Sequence, residues 1–102
     1  MKRAFKMKLN EGQIEEYKNR HNQVYPELVE QFKLAGVSTY TIWFDEETNY
    51  LFAFVELENN DIWNNISETE ACQKWWKFMA PIMETNEDNS PVSTDLELAY
   101  EL

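Results

Sequence analysis

Apolar residues change their spacing several times along this chain, and each change marks an element. From Ala4 to Leu9, Phe5, Met7 and Leu9 alternate with Lys6 and Lys8, which predicts a strand with one buried face. Next, Ile14, Tyr17, His21, Val24, Leu28 and Phe32 recur at three- and four-residue spacing, which predicts a helix from about Glu11 to Leu34. Asn10 is placed to cap it, with Glu11 in the first turn and Gly36 as the left-handed residue after its end. Pro26 interrupts the pattern. It has no N–H, and its ring crowds the carbonyl one turn back, so the helix kinks or restarts around Tyr25.

Period two returns in Val37–Phe44 and again in Tyr50–Leu57, with the polar turn Asp45–Asn49 between them, the pattern of a hairpin. In the first of these strands Tyr40, Ile42 and Phe44 share a face; Thr39, Thr41 and Trp43 share the other. The second is apolar on both sides, with Leu51, Ala53, Val55 and Leu57 against Tyr50, Phe52 and Phe54. Such a strand needs cover on both faces. Glu58–Asp61 opens a short helix carrying Ile62, Trp63 and Ile66. Ser67 and Glu70 have the spacing of a capping box for a further helix, which runs to about Ala80 with Cys72, Trp75, Trp76 and Met79. After the polar stretch Glu84–Thr94, Leu96, Leu98, Tyr100 and Leu102 alternate with Glu97, Ala99 and Glu101, predicting a last strand.

The order βα-ββ-αα-β predicts a ferredoxin-like α+β sandwich, an antiparallel four-stranded sheet with helices on one face. The chain of 102 residues suits one domain, residues 1–102. Its helices cover one face of the sheet, so the other face predicts a homodimer packed sheet to sheet, a dimeric α/β barrel.

Composition narrows the partners. A formal charge of −10 argues against nucleic acid and against an anionic membrane surface. No stretch has the length of a membrane span, and no apolar run follows the basic start. The single cysteine, Cys72, excludes an internal disulfide and suits a reducing cytoplasm. One histidine and one cysteine give no zinc-type ligand cluster, and two glycines give no phosphate loop, so neither a metal nor a phosphate-loop nucleotide is expected. Aromatic residues reach 15%, enough for some rings to line a pocket.

His21, the only histidine, lies on the apolar stripe, with Tyr17 and Tyr25 one turn away on either side. A core histidine bonded to a carbonyl is the structural alternative to a catalytic one. The acidic net charge favours its protonated form, whereas burial opposes it. Trp75 and Trp76 point about 100° apart on a helix, so one ring can enter the core while the other borders a pocket. Indole faces suit the C–H faces of a sugar; two core tryptophans are the alternative. Asp88-Asn89-Ser90-Pro91 reads either as a capped turn or as a source of polar groups for hydroxyls.

Taken in order, Tyr17-x-x-x-His21-Asn22, Tyr25-Pro26-Glu27-Leu28, Cys72-Gln73-x-Trp75-Trp76-Lys77 and Asp88-Asn89-Ser90-Pro91-Val92 resemble the L-rhamnose mutarotase family over nearly the whole chain. The resemblance implies a dimeric ferredoxin-like fold and cofactor-free interconversion of the α and β anomers of L-rhamnose. It also implies that His21 is the proton donor and that Tyr17, Tyr40, Trp75 and Trp76 bind the sugar. Two residues depart from the family pattern: Tyr25 stands where Trp is expected, and Glu87 where Pro is expected. Two other classes fit the same elements. One is a haem- or quinone-type monooxygenase with His21 as a haem ligand; the other is a non-catalytic sugar- or small-molecule-binding module.

Overall fold

The computed structural model describes residues 1–102. Strand β1 (Lys2–Lys8) and strand β3 (Tyr50–Glu56) form the middle of a four-stranded antiparallel sheet. The sheet order is β2-β3-β1-β4, with β2 at Thr39–Phe44 and β4 at Ser93–Asp95. Four helices complete the α+β fold: α1 (Ile14–His21), α2 (Pro26–Leu34), α3 (Asn60–Asn65) and α4 (Glu70–Met79).

The register explains the two-faced alternation. Met7 pairs with Leu51 and Phe5 with Ala53, while Ile42 faces Ala53 across the β2–β3 ladder. These side chains point at the helices and join Leu28, Cys72, Trp75 and Met79 in one buried cluster. On the opposite face Trp43 pairs with Phe52 and Thr41 with Phe54, with no element of this chain above them. There Lys6 and Lys8 lie over the Tyr50 ring, at 4.6 and 5.6 Å from its centroid.

Several boundaries differ from the sequence reading. The long helix is two helices, broken over Asn22–Tyr25, and Pro26 takes the first position of α2, where its missing N–H removes no bond. Asn10 does not cap α1. Gly12, at φ 79°, turns the chain first, and the Asn10 amide side chain donates to the Pro81 carbonyl instead. Gly36 does end α2: its N–H donates to Lys33 and that of Val37 to Phe32, the two bonds of a Schellman motif. Ser67 is not the cap of α4. It sits inside a 3₁₀ turn, Ile66–Glu68, while the extended Thr69 accepts the Cys72 N–H at 3.2 Å.

The last strand is also displaced. β4 falls within the polar stretch, pairing Ser93, Thr94 and Asp95 with Met7, Lys6 and Phe5. Leu96 donates one more bond to Ala4, after which residues 96–102 run beyond the ladder. Their alternation is real, but this chain supplies no layer to bury it.

Candidate functional site

Between the helices and the sheet lies a cavity of about 1120 Å³, slightly above the roughly 300–1,000 Å³ of most small-molecule sites. His21, Tyr17, Tyr40, Trp75 and Trp76, the residues the resemblance singled out, all border it, so side chains from two helices and a strand converge on one space. His21 ends α1, one turn after Tyr17. Its Nδ1–H donates to the Tyr17 carbonyl at 2.9 Å, since a carbonyl can only accept. This assigns the Nδ1 proton and leaves Nε2 without a protein partner. Tyr17 lies against the imidazole at 4.2 Å between ring centroids, and Trp75 meets it edge-on at 5.2 Å.

The electrostatics sort the titratable groups. Half-burial lowers the His21 pKa from its ordinary value, with the bond to the Tyr17 carbonyl opposing that shift. Burial raises the pKa of Tyr17 and of Tyr40, so both phenols stay protonated at neutral pH. Burial also pushes the Cys72 thiol up to about 11, which makes it a poor nucleophile. Tyr40 is half-buried as a residue, but its hydroxyl end is the deep one. Neither tyrosine hydroxyl bonds to protein, yet no enclosed side-chain polar atom is left unsatisfied. Both hydroxyls therefore open onto the cavity as hydrogen-bond donors.

The two tryptophans divide as their spacing required. Trp75 is buried, and its ring is engaged by His21, by Tyr25 at 5.4 Å and by Phe78 at 5.7 Å. Trp76 is half-buried on the cavity wall. Tyr25 is not a direct neighbour of His21, because the helix break sends it to the outer side of Trp75. No group of three His, Cys, Asp or Glu side chains is arranged to hold a metal.

Sequence reasoning named Tyr40 and the Asp88–Pro91 turn but missed Phe32, Trp63, Asn86 and Arg20 as contributors. Phe32, Tyr40 and Trp63 form a mutual aromatic triangle, with centroids 5.3 to 5.8 Å apart, at one end of the cavity. Phe32 lay on the visible helical stripe, but nothing in the sequence brought Trp63 of α3 to it. Asn86 and Ser90 also border the cavity, in a turn where Asn86 donates to the Ser90 hydroxyl at 3.0 Å. Arg20, beside His21, crosses to α4: its Nη1 donates to the Phe78 carbonyl, and its Nε pairs with Glu16 at 2.9 Å.

Comparison with known proteins places the chain in a family. The sequence profile of L-rhamnose mutarotase matches residues 2–102. The chain is 53% identical over 102 residues to an L-rhamnose mutarotase of Clostridium beijerinckii, covering 100% of this chain and 98% of that one. It is 45% identical over 101 residues to an L-rhamnose mutarotase of Bacillus subtilis, covering 99% and 97%. The crystal structure of an L-rhamnose mutarotase from Formosa agariphila superposes with a TM-score of 0.91 at 49% identity, covering 100% and 98%. An antibiotic biosynthesis monooxygenase superposes with a TM-score of 0.61 at 11% identity, covering 97% and 98%, a likeness of fold alone.

Proposed function

Because the chain belongs to the L-rhamnose mutarotase family, we propose that its cavity opens and recloses the ring of L-rhamnose, with His21 as the acid. The enzyme is a mutarotase, and the monooxygenase reading is not favoured. The observation that carries the mechanism is a set of accessible polar atoms without a protein partner on side chains that border one cavity: Nε2 of His21 and the hydroxyls of Tyr17 and Tyr40.

Mutarotation moves protons and one C–O bond. The anomeric hydroxyl gives up its proton to water while His21, in its imidazolium form, delivers the Nε2 proton to the ring oxygen and is left as the neutral ring with its proton on Nδ1. The bond between C1 and the ring oxygen breaks, leaving the open-chain aldehyde. Rotation about C1–C2 presents the other carbonyl face, and reclosure runs the same transfers in reverse. No electrons change hands, so the chemistry asks for no redox cofactor. Tyr17 and Tyr40, held as neutral phenols, donate hydrogen bonds to sugar oxygens. Trp76 offers its ring to the C–H face of the sugar, and Trp75 binds mainly by holding the imidazole edge-on.

The test is anomeric exchange on L-rhamnose by NMR saturation transfer, with melting curves, for wild type, His21→Ala and His21→Gln. A positioned acid contributes about 10²–10⁴-fold. Both variants should stay folded and lose exchange by that order. A folded His21→Gln variant exchanging at the wild-type rate removes His21 from the mechanism.

Residues 1–102 are read as one mutarotase domain, supported by a single sheet over a single buried cluster. A homodimer is supported by the uncovered face with Trp43 and Phe52 and by the unpaired, alternating tail. A cytoplasmic location is supported by the free, buried Cys72; no helix is long and apolar enough to cross a membrane.

A further inference from the structure

Helix α1 carries both Tyr17 and His21, yet it is only eight residues long and is flanked by two turns. Before it, Gly12 takes a left-handed conformation with open space around it; after it, Asn22–Tyr25 break the helix. The backbone of α1 hydrogen-bonds only within itself and to its flanking turns. One polar bond joins it to another element, from Arg20 Nη1 to the Phe78 carbonyl on α4.

That bond has a built geometry at its far end. Phe78 lies in the last turn of α4, where carbonyls lack intrahelical partners and carry the negative end of the helix dipole. A guanidinium meets both needs at once. It also lies over the Phe78 ring, at 4.7 Å from the centroid, and Glu16 holds its Nε one turn back along α1. The Arg20 side chain is 20% exposed, so the clamp is largely shielded from solvent. The Phe78 ring in turn packs on Trp75, and Trp75 meets the His21 imidazole.

We propose that Arg20 is a positioning residue for the ring-opening reaction: by clamping the last turn of α1 to the Phe78 carbonyl and ring, it sets the His21 imidazole against Trp75. The proposal rests on the reading of His21 as the acid. Arg20 does not touch the sugar. It acts on where Nε2 stands relative to the ring oxygen, and a misplacement of about 1 Å costs roughly 100-fold in rate. An arginine suits the task because its planar fork bonds a carbonyl and stacks on a ring together, which an ammonium cannot do.

The experiment compares wild type, Arg20→Met, Arg20→Lys and His21→Gln by anomeric exchange on L-rhamnose, resolved into kcat and KM. His21 titration is followed by imidazole proton NMR, and melting is recorded for each. Arg20→Met keeps the apolar stem and removes every donor. It should lower kcat by about 10- to 100-fold with KM within about threefold. Its His21 midpoint should move up toward the free imidazole value of about 6.5 as water reaches the loosened ring. Arg20→Lys restores one bond to the carbonyl and should recover part of both effects. If Arg20→Met melts lower but keeps wild-type kcat and His21 titration, Arg20 is a structural strut and the proposal is overturned. Should Arg20→Met fail to fold, Arg20→Gln carries the same readouts: lowered kcat with a displaced midpoint supports the clamp, and both unchanged overturns it. Wild-type exchange in His21→Gln would instead remove the acid assignment, whatever Arg20 does.

Discussion

At the scale of single residues, the decisive competition is at His21. The acidic composition predicts a field that favours imidazolium, but the half-buried ring between Tyr17 and Trp75 has its pKa lowered by desolvation. The local effect outweighs the remote one because surface charges beyond about 10 Å are largely screened. The shift has opposite consequences for activity and stability. The acid must be protonated, so kcat/KM should rise as pH falls through a midpoint below 6.5 and decline above it. Folding favours the neutral ring. The His21 contribution to stability is therefore complete above 6.5, the unfolded value, and is lost as pH falls through the lower folded value. Melting of wild type and His21→Gln across about pH 5–7.5 isolates that contribution, since only wild type carries the titrating group. A difference between the two that stays flat over this range would show that His21 is not desolvated. The stripe of Tyr17 and His21 was legible from spacing alone. The role of Arg20 was not, because its partner is a backbone carbonyl fifty-eight residues away, and carbonyls leave no mark in a sequence.

At the scale of elements, hydrophobic period located the helices and the first three strands, and stop signals of fixed stereochemistry located their ends best. Gly36 is the clearest case. Its φ of 72° suits glycine, and a Cβ built there would stand 2.8 Å from the Glu58 side chain. The turn also anchors the segment after β3, since Glu58 and Asn59 both donate to the Ala35 carbonyl. Gly36→Ala should destabilise the fold by about 1–2 kcal/mol, the usual cost of a left-handed non-glycine residue. For a domain this size that lowers Tm by roughly 4–16 °C. Anomeric exchange in the folded variant should be unchanged, because Gly36 does not border the cavity. An unaltered melting curve would mean the turn relaxes freely. Caps were less legible where two candidates stood close together. Ser67 and Thr69 both precede α4, and only backbone conformation, extended at Thr69 and turned at Ser67, decides which hydroxyl meets the first free N–H. Likewise Asn10 looked like a cap because sequence cannot show that Gly12 turns the chain before the helix begins.

At the scale of the whole molecule, the displaced last strand and the uncovered sheet face pose one problem with a common solution. Trp43, Leu98 and Tyr100 are 70%, 70% and 76% exposed, and Phe52 and Leu96 are partly so. An isolated exposed apolar residue needs no explanation, but a strand-like alternation beside an open apolar face does. Fully burying an exposed large apolar side chain contributes about 1.5–3 kcal/mol, so these five, scaled by their present exposure, bring roughly 4–9 kcal/mol from each copy. That is of the order of the roughly 4–15 kcal/mol lost in association, which makes a second copy a sufficient partner. The charge supports the same choice, because a closed two-fold dimer hides this surface from further growth while its remaining acidic surface stays in water. The alternation of Leu96–Leu102 was read as the last strand, but that strand falls at Ser93–Asp95, and the alternating residues after it have no layer of this chain to pack against. Sedimentation equilibrium at micromolar concentration should therefore give twice the chain mass for wild type. Phe52→Glu on the open face and Leu98→Glu on the tail should each shift the equilibrium toward monomer. Because Phe52 does not border the cavity, Phe52→Glu should retain exchange if the monomer stays folded. A monomeric wild type would sink the assembly and leave the apolar face without a role. Loss of exchange in a folded, monomeric Phe52→Glu variant would show instead that the cavity depends on the partner to keep its shape.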